Sequence, residues 1–184
     1  MRYSKYPTPQ DIGKMRASGY DAAIIASAEA LLPRTLIRDH LITRIRAAFH
    51  GVTLGDGVGL AEGQAIDDYE DADTRAAVRA GDEKDDWSKF GPQLLRQCQS
   101  SLSFFDAPGM RFHLPAFLIA ALREDIDDPV FTLTYPPSLE RGGIFDLMSP
   151  EQRSVIRDYL LFMTGDPDED DADLHAALHG YWSE

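Results

Sequence analysis

Asp67, Asp68 and Asp71 fall within one helical turn of one another, and Asp82, Glu83, Asp85 and Asp86 follow a short stretch later. Several convergent oxygens are what a hard divalent cation requires. Neither cluster has the alternating ligands and glycine of a calcium-binding loop. A metal-dependent hydrolase is the enzymatic alternative, with Asp67, Asp68 and Asp86 as its carboxylates. Spacing leaves metal binding unknown, and the residues imply no cofactor and no catalytic set.

The same side chains have a structural reading. Arg38 or Arg44, on the basic segment that precedes them, could pair with Asp67 and Asp68. Such pairs organise packing more than they stabilise, because desolvation offsets attraction. Asp86 would cap the segment that starts at Trp87.

Three other constellations are weaker. His175 and His179 are four apart and would share a helical face with Asp171, a spacing that can chelate zinc. The protease version needs Glu after the first His, and this chain has Ala176. Third and fourth ligands are also missing, and a loosely held C-terminal helix is a poor base for a rigid site. Cys98 with His113 has the types of a nucleophile and base, but Cys98 sits among Leu94, Leu95 and Leu102 as a buried apolar residue would. Arg111 reads as an internal clamp, either on Asp106 across a turn or on the first carboxylate cluster.

Composition limits the function classes. Formal net charge is -13; residues 1–50 carry eight Lys/Arg against four Asp/Glu, and the rest carry ten against twenty-seven. Such a surface repels phosphate backbones and anionic lipid, so neither nucleic acid nor a membrane is an expected partner. No window has the ~18 apolar residues of a membrane span. The N-terminus lacks the pattern of a secretory signal, and the single cysteine fits a reducing compartment, so a cytoplasmic location is expected.

The elements that would position these residues are mostly helical. Thr8-Pro9 starts a helix expected to run to Leu32, where Pro33 breaks it, and a second spans 34–49. Five glycines between Gly51 and Gln64 mark a turn-rich loop, with a short strand allowed at Val52–Leu54. The glycines at 55, 57 and 59 match neither a dinucleotide nor a phosphate loop. A helix is expected from Ile66 to Arg79, capped by Gly81, and a short one from Pro92. Asp106-Ala107-Pro108-Gly109 reads as a turn between two extended pieces, followed by a helix opening at Leu114-Pro115. Val130–Tyr135 is strand or helix, ended by Pro136-Pro137. Ser149-Pro150-Glu151-Gln152 starts a helix with a capping box. The acidic run after Gly165 reads as a solvated linker.

The whole resembles a bacterial family of uncharacterised proteins, domain of unknown function 6714. The resemblance rests on F-x-G-V-T-L at Phe49–Leu54, G-Q-A-I-D-D-Y at Gly63–Tyr69 and D-E-x-x-D-W at Asp82–Trp87. It continues through L-S-F-F-D-x-x-G-x-R-F-x-L-P-A-F at Leu102–Phe117 and L-x-S-P-E-Q at Leu147–Gln152. It implies a fold but carries over no catalytic residues.

The expected fold is mainly α: one domain of about six helices over residues 1–165 with a small β-hairpin near Pro108, then an acidic linker and short helix over 166–184. An α+β fold is the second choice. The expected function is a non-enzymatic, acidic protein-binding module for a basic protein partner, such as an immunity or inhibitor protein. Its surface would use Tyr69, Glu70, Asp71, Asp82, Glu83, Asp85 and Trp87. Asp67, Asp68, Asp86, Asp106 and Arg111 would be structural. Oligomeric state is not legible.

Overall fold

The computed structural model describes residues 5–135, 139, 143–164 and 172–183. Two readings, the Pro136-Pro137 terminator and the acidic run through Asp171, lie outside the described residues. The chain divides into two compact units, 1–43 and 44–184.

In the first unit, Thr8 and Asp11 form a reciprocal capping box. Asp11 N–H donates to Thr8 Oγ1 at 3.1 Å, and Thr8 N–H to Asp11 Oδ2 at 3.0 Å. This starts α1, Pro9–Ala17. The helix expected to reach Leu32 ends early. Gly19 turns the chain at φ +71°, and Asp21 caps a separate α2, Ala22–Ala30. Arg16 pairs with Glu29 across the two. Helix α3, Leu32–Ala48, takes Pro33 into its first turn, where a missing N–H costs nothing. Thr35 Oγ1 donates to Pro7 O at 3.0 Å, and the Arg38 guanidinium lies 5.1 Å from the Tyr6 ring centre.

The second unit is built around α7, Ala107–Leu122, in which every side chain from Phe112 to Leu122 is buried. The expected β-hairpin is absent: the described residues contain helices and turns but no strand. Asp106 accepts from Gly109 N–H at 2.9 Å as an N-cap, so Asp-Ala-Pro-Gly opens a helix instead of turning a hairpin. The helix then continues through Pro115, which was expected to start one. Interior proline removes a backbone bond at a cost of about 3 kcal/mol. Burial of the whole apolar run offsets this, at ~1.5–3 kcal/mol for each large side chain.

The unit also contains α4 (Leu60–Asp67), α5 (Ala72–Gly81), α6 (Pro92–Gln97), α8 (Val130–Thr134), α9 (Pro150–Thr164) and α10 (Ala172–Ala176), with 3-10 turns at Trp87–Lys89 and Gln99–Ser103; α6 and the Trp87 turn pack on α7, and α4 packs on α5 and on the Gln99 turn. The described residues therefore form more helices than the six expected. The ambiguous Val130 segment is helical. Ser149 and Gln152 close the capping box of α9, with Ser149 N–H donating to Gln152 Oε1 at 3.0 Å. The C-terminal segment is firmly docked, since Leu174, Leu178 and Trp182 are all buried. No helix among the described residues is long and apolar enough to cross a membrane.

Candidate functional site

The carboxylate-rich stretch folds as a helical hairpin of α4 and α5, closed at one end by Asp82 and open at the other around Tyr69. At the closed end, Asp82 Oδ1 accepts from Ala61 N–H at 2.8 Å and Oδ2 from Glu62 N–H at 3.2 Å. A carboxylate twenty residues downstream thus supplies the N-terminal cap of α4, whose own N-cap position is Gly59 and has no side chain to offer. Burial pushes the Asp82 carboxyl above its ordinary pKa, opposed by the two N–H donors. Arg79 completes this end, donating to Glu62 at 2.8 and 3.0 Å and to the Asp56 carbonyl.

The following loop is held by its own carboxylates. Glu83 accepts from Lys89 Nζ at 2.7 Å and from the backbone N–H groups of Asp85 and Asp86 at 2.9 and 3.1 Å. The Lys89 ammonium, with those amides, holds its pKa down to about 2. Asp86 caps the next turn through Ser88 N–H at 2.9 Å, and Asp85 is exposed. Trp87, read as a surface anchor, is instead buried at 7% exposure, and its indole N–H donates to Phe49 O at 2.9 Å.

At the open end the chain reverses in a Schellman turn. Tyr69 N–H donates to Ile66 O at 3.2 Å, and Glu70 N–H to Ala65 O at 2.9 Å. The left-handed residue of such a turn is usually glycine, but this chain has Tyr69 at φ +58°. A non-glycine residue there costs about 1–2 kcal/mol. Its ring is 96% exposed. Exposed Asp68, Glu70, Asp71 and Asp73 surround it in sequence. Asp68 accepts from Gln64 Nε2 at 3.0 Å, and Asp71 caps α5 through Thr74 N–H at 2.8 Å. Asp67 ends α4 and is half-buried.

The two carboxylate groups therefore do not form one face. They sit at opposite ends of α5, whose ten residues rise about 15 Å. Asp67 and Asp68 are likewise at the far end of α4 from Asp82. Among the described residues, no three His, Cys, Asp or Glu side chains gather so as to hold a metal ion. The basic partners proposed for Asp67 and Asp68 are engaged elsewhere, Arg44 with Asp158 and Arg38 with its neighbour Asp39 at 2.6 Å.

Asp106 and Arg111 do not clamp each other. Asp106 Oδ1 accepts from Val58 N–H at 3.0 Å as well as from Gly109, which ties the glycine loop to the start of α7. Arg111 Nε donates to Gln152 Oε1 at 3.1 Å, and Gln152 Nε2 donates to Ala48 O at 3.0 Å. Gln152 is 1% exposed and was seen in the sequence only as a capping residue. His113 is fully buried, its Nδ1–H donates to Gly109 O at 2.8 Å, and its ring stacks on Phe105 at 4.4 Å. Burial lowers its pKa to about 4 and pushes the Cys98 thiol up, so neither has the setting of a reagent.

The sequence pattern of DUF6714, described as a family of unknown function, matches residues 37–184. The chain belongs to DUF6714. No curated protein and no solved structure matches it. Several residues of the DUF6714 motifs hold the fold together. Trp87, Asp82, Asp106, Arg111 and Gln152 each satisfy buried or terminal backbone groups or one another. Tyr69 stands apart, because its side chain does no comparable work within the fold.

Proposed function

We propose that this DUF6714 chain is a non-enzymatic protein-binding module that docks a basic protein partner through the Tyr69 turn. The observation that carries the reading is a strained backbone residue whose large aromatic side chain is almost wholly exposed. Strain retained without a packing return marks a position where the side chain serves something outside the fold. Exposed tyrosines are common anchors of protein interfaces. The surrounding Asp68, Glu70, Asp71 and Asp73 would steer a basic surface toward the ring. An inhibitor or immunity role toward a basic protein is the finer form of this proposal.

The contact set is the end of the hairpin at Tyr69, without Trp87 and without Asp82, both of which hold the fold. Glu83 and Asp85, about 15 Å away along α5, would contribute through the wider field. The test is affinity capture from the native cell at low and high salt, with the wild type and Tyr69→Ala. Capture lost in the variant and weakened by salt supports the reading. Capture that ignores both changes removes it.

A further inference from the structure

Most guanidiniums of the chain are engaged. Arg16, Arg38, Arg44 and Arg79 pair with carboxylates, and Arg96, Arg111 and Arg153 donate to neutral oxygens. Arg46 and Arg123 make no hydrogen bond or ion pair with any described residue. Carboxylates are not scarce, since the chain has 31 Asp and Glu against 18 Lys and Arg. Both arginines are exposed, and both line the same cleft.

Arg46 lies in the last turn of α3, and Arg123 is the C-cap of α7. The rest of the cleft is mostly apolar. Leu95 of α6 lines it, with Ala116, Ile119 and Ala120 of α7 and the side chains of Trp87 and Phe90. These walls are fixed before anything binds: the Trp87 indole N–H is held on Phe49 O, and the Phe90 ring meets Phe112 edge-on at 5.9 Å. Asp125 also lines the cleft, and Arg96 holds its carbonyl at 2.7 and 3.1 Å. Two guanidiniums against one carboxylate leave the cleft positive in a chain of net charge -13.

We propose that this cleft binds a small organic carboxylate. A guanidinium offers paired N–H donors in the geometry a carboxylate accepts. The apolar lining takes a short alkyl tail, whereas phosphate has no apolar part to set against it. The cleft volume, about 60 Å3, sets the size. At about 10–15 Å3 for each water-sized group, it admits about four to six non-hydrogen atoms. The site lies apart from the Tyr69 turn and does not rest on the docking reading.

The test is titration of the full chain with sodium propionate, read by 1H–15N NMR against sodium chloride at equal ionic strength. Saturable shifts at Ser88, Ile119, Ala120 and Arg123 are expected, with a Kd near ~1 mM for a ligand of so few atoms. Arg46→Gln and Arg123→Gln should each weaken binding roughly ten-fold, and the double variant should abolish it. Asp125→Asn should tighten it, and Arg16→Gln should change nothing. Both cleft arginines are exposed, so spectra of the variants away from the cleft should stay the same. Shifts that do not saturate, or that persist in the double variant, overturn the site. Phosphate binding as tightly as propionate overturns the carboxylate assignment.

Discussion

The Asp82 carboxylate lies directly over the backbone of Gly59, so close that a Cβ on Gly59 would fall 2.0 Å from Oδ2 and 2.3 Å from Cγ. The absent side chain at one end of α4 and the remote cap are two halves of one arrangement. Asp82→Ala should destabilise by about 1–2 kcal/mol through the lost cap, and Asp82→Asn by less, because the amide keeps an acceptor without a buried charge. Gly59→Ala should cost at least as much, since the whole Asp82 side chain must leave. Combining Gly59→Ala with Asp82→Gly should cost clearly less than the sum, read by urea unfolding of all three variants. Additive costs would separate the two residues.

Gln152 joins three elements, accepting from Arg111 and Ser149 and donating to Ala48. Gln152→Ala should lower stability by roughly 1–2 kcal/mol, because it leaves a part-buried carbonyl and a part-buried guanidinium without this partner. Arg111→Ala should be milder. A Gln152→Ala loss below half a kcal/mol in thermal or urea unfolding would contradict the bridging role.

His113 sets a pH dependence with a definite sign. Its folded pKa is about 4 against an ordinary 6.5, because burial disfavours the imidazolium. Its contribution to stability is fully present above pH 6.5 and is lost as pH falls from 6.5 toward 4. Between pH 7 and pH 5 the loss should be about 2 kcal/mol. His113→Phe preserves the stack on Phe105 and should flatten this part of the profile. Carboxylates with lowered values, such as Glu83, act below that window. The difference between wild type and variant across the two pH values is the readout.

The parts legible in the sequence were those with local signatures. The capping boxes of Thr8 with Asp11 and of Ser149 with Gln152 each fix a helix start from four residues, and both form. The misread parts were those whose local signature competes with distant packing. Asp-Ala-Pro-Gly satisfies both a turn and a capped helix start, and the buried run beyond it decides for the helix. The end of α4 was hidden because its left-handed residue is Tyr69, where a helix end is usually announced by glycine. That hidden break also concealed the hairpin, and with it the separation of the two acidic clusters.

Tyr69→Gly tests the central claim most directly, because the fold and the proposed docking surface want opposite things at that position. Relief of the left-handed strain, less the entropy cost of glycine, should leave stability unchanged or raise it by up to about 1 kcal/mol. Capture of the basic partner at low salt should fall sharply in the same variant. A Tyr69→Gly chain that is destabilised, or that retains its partner in full, would contradict the account.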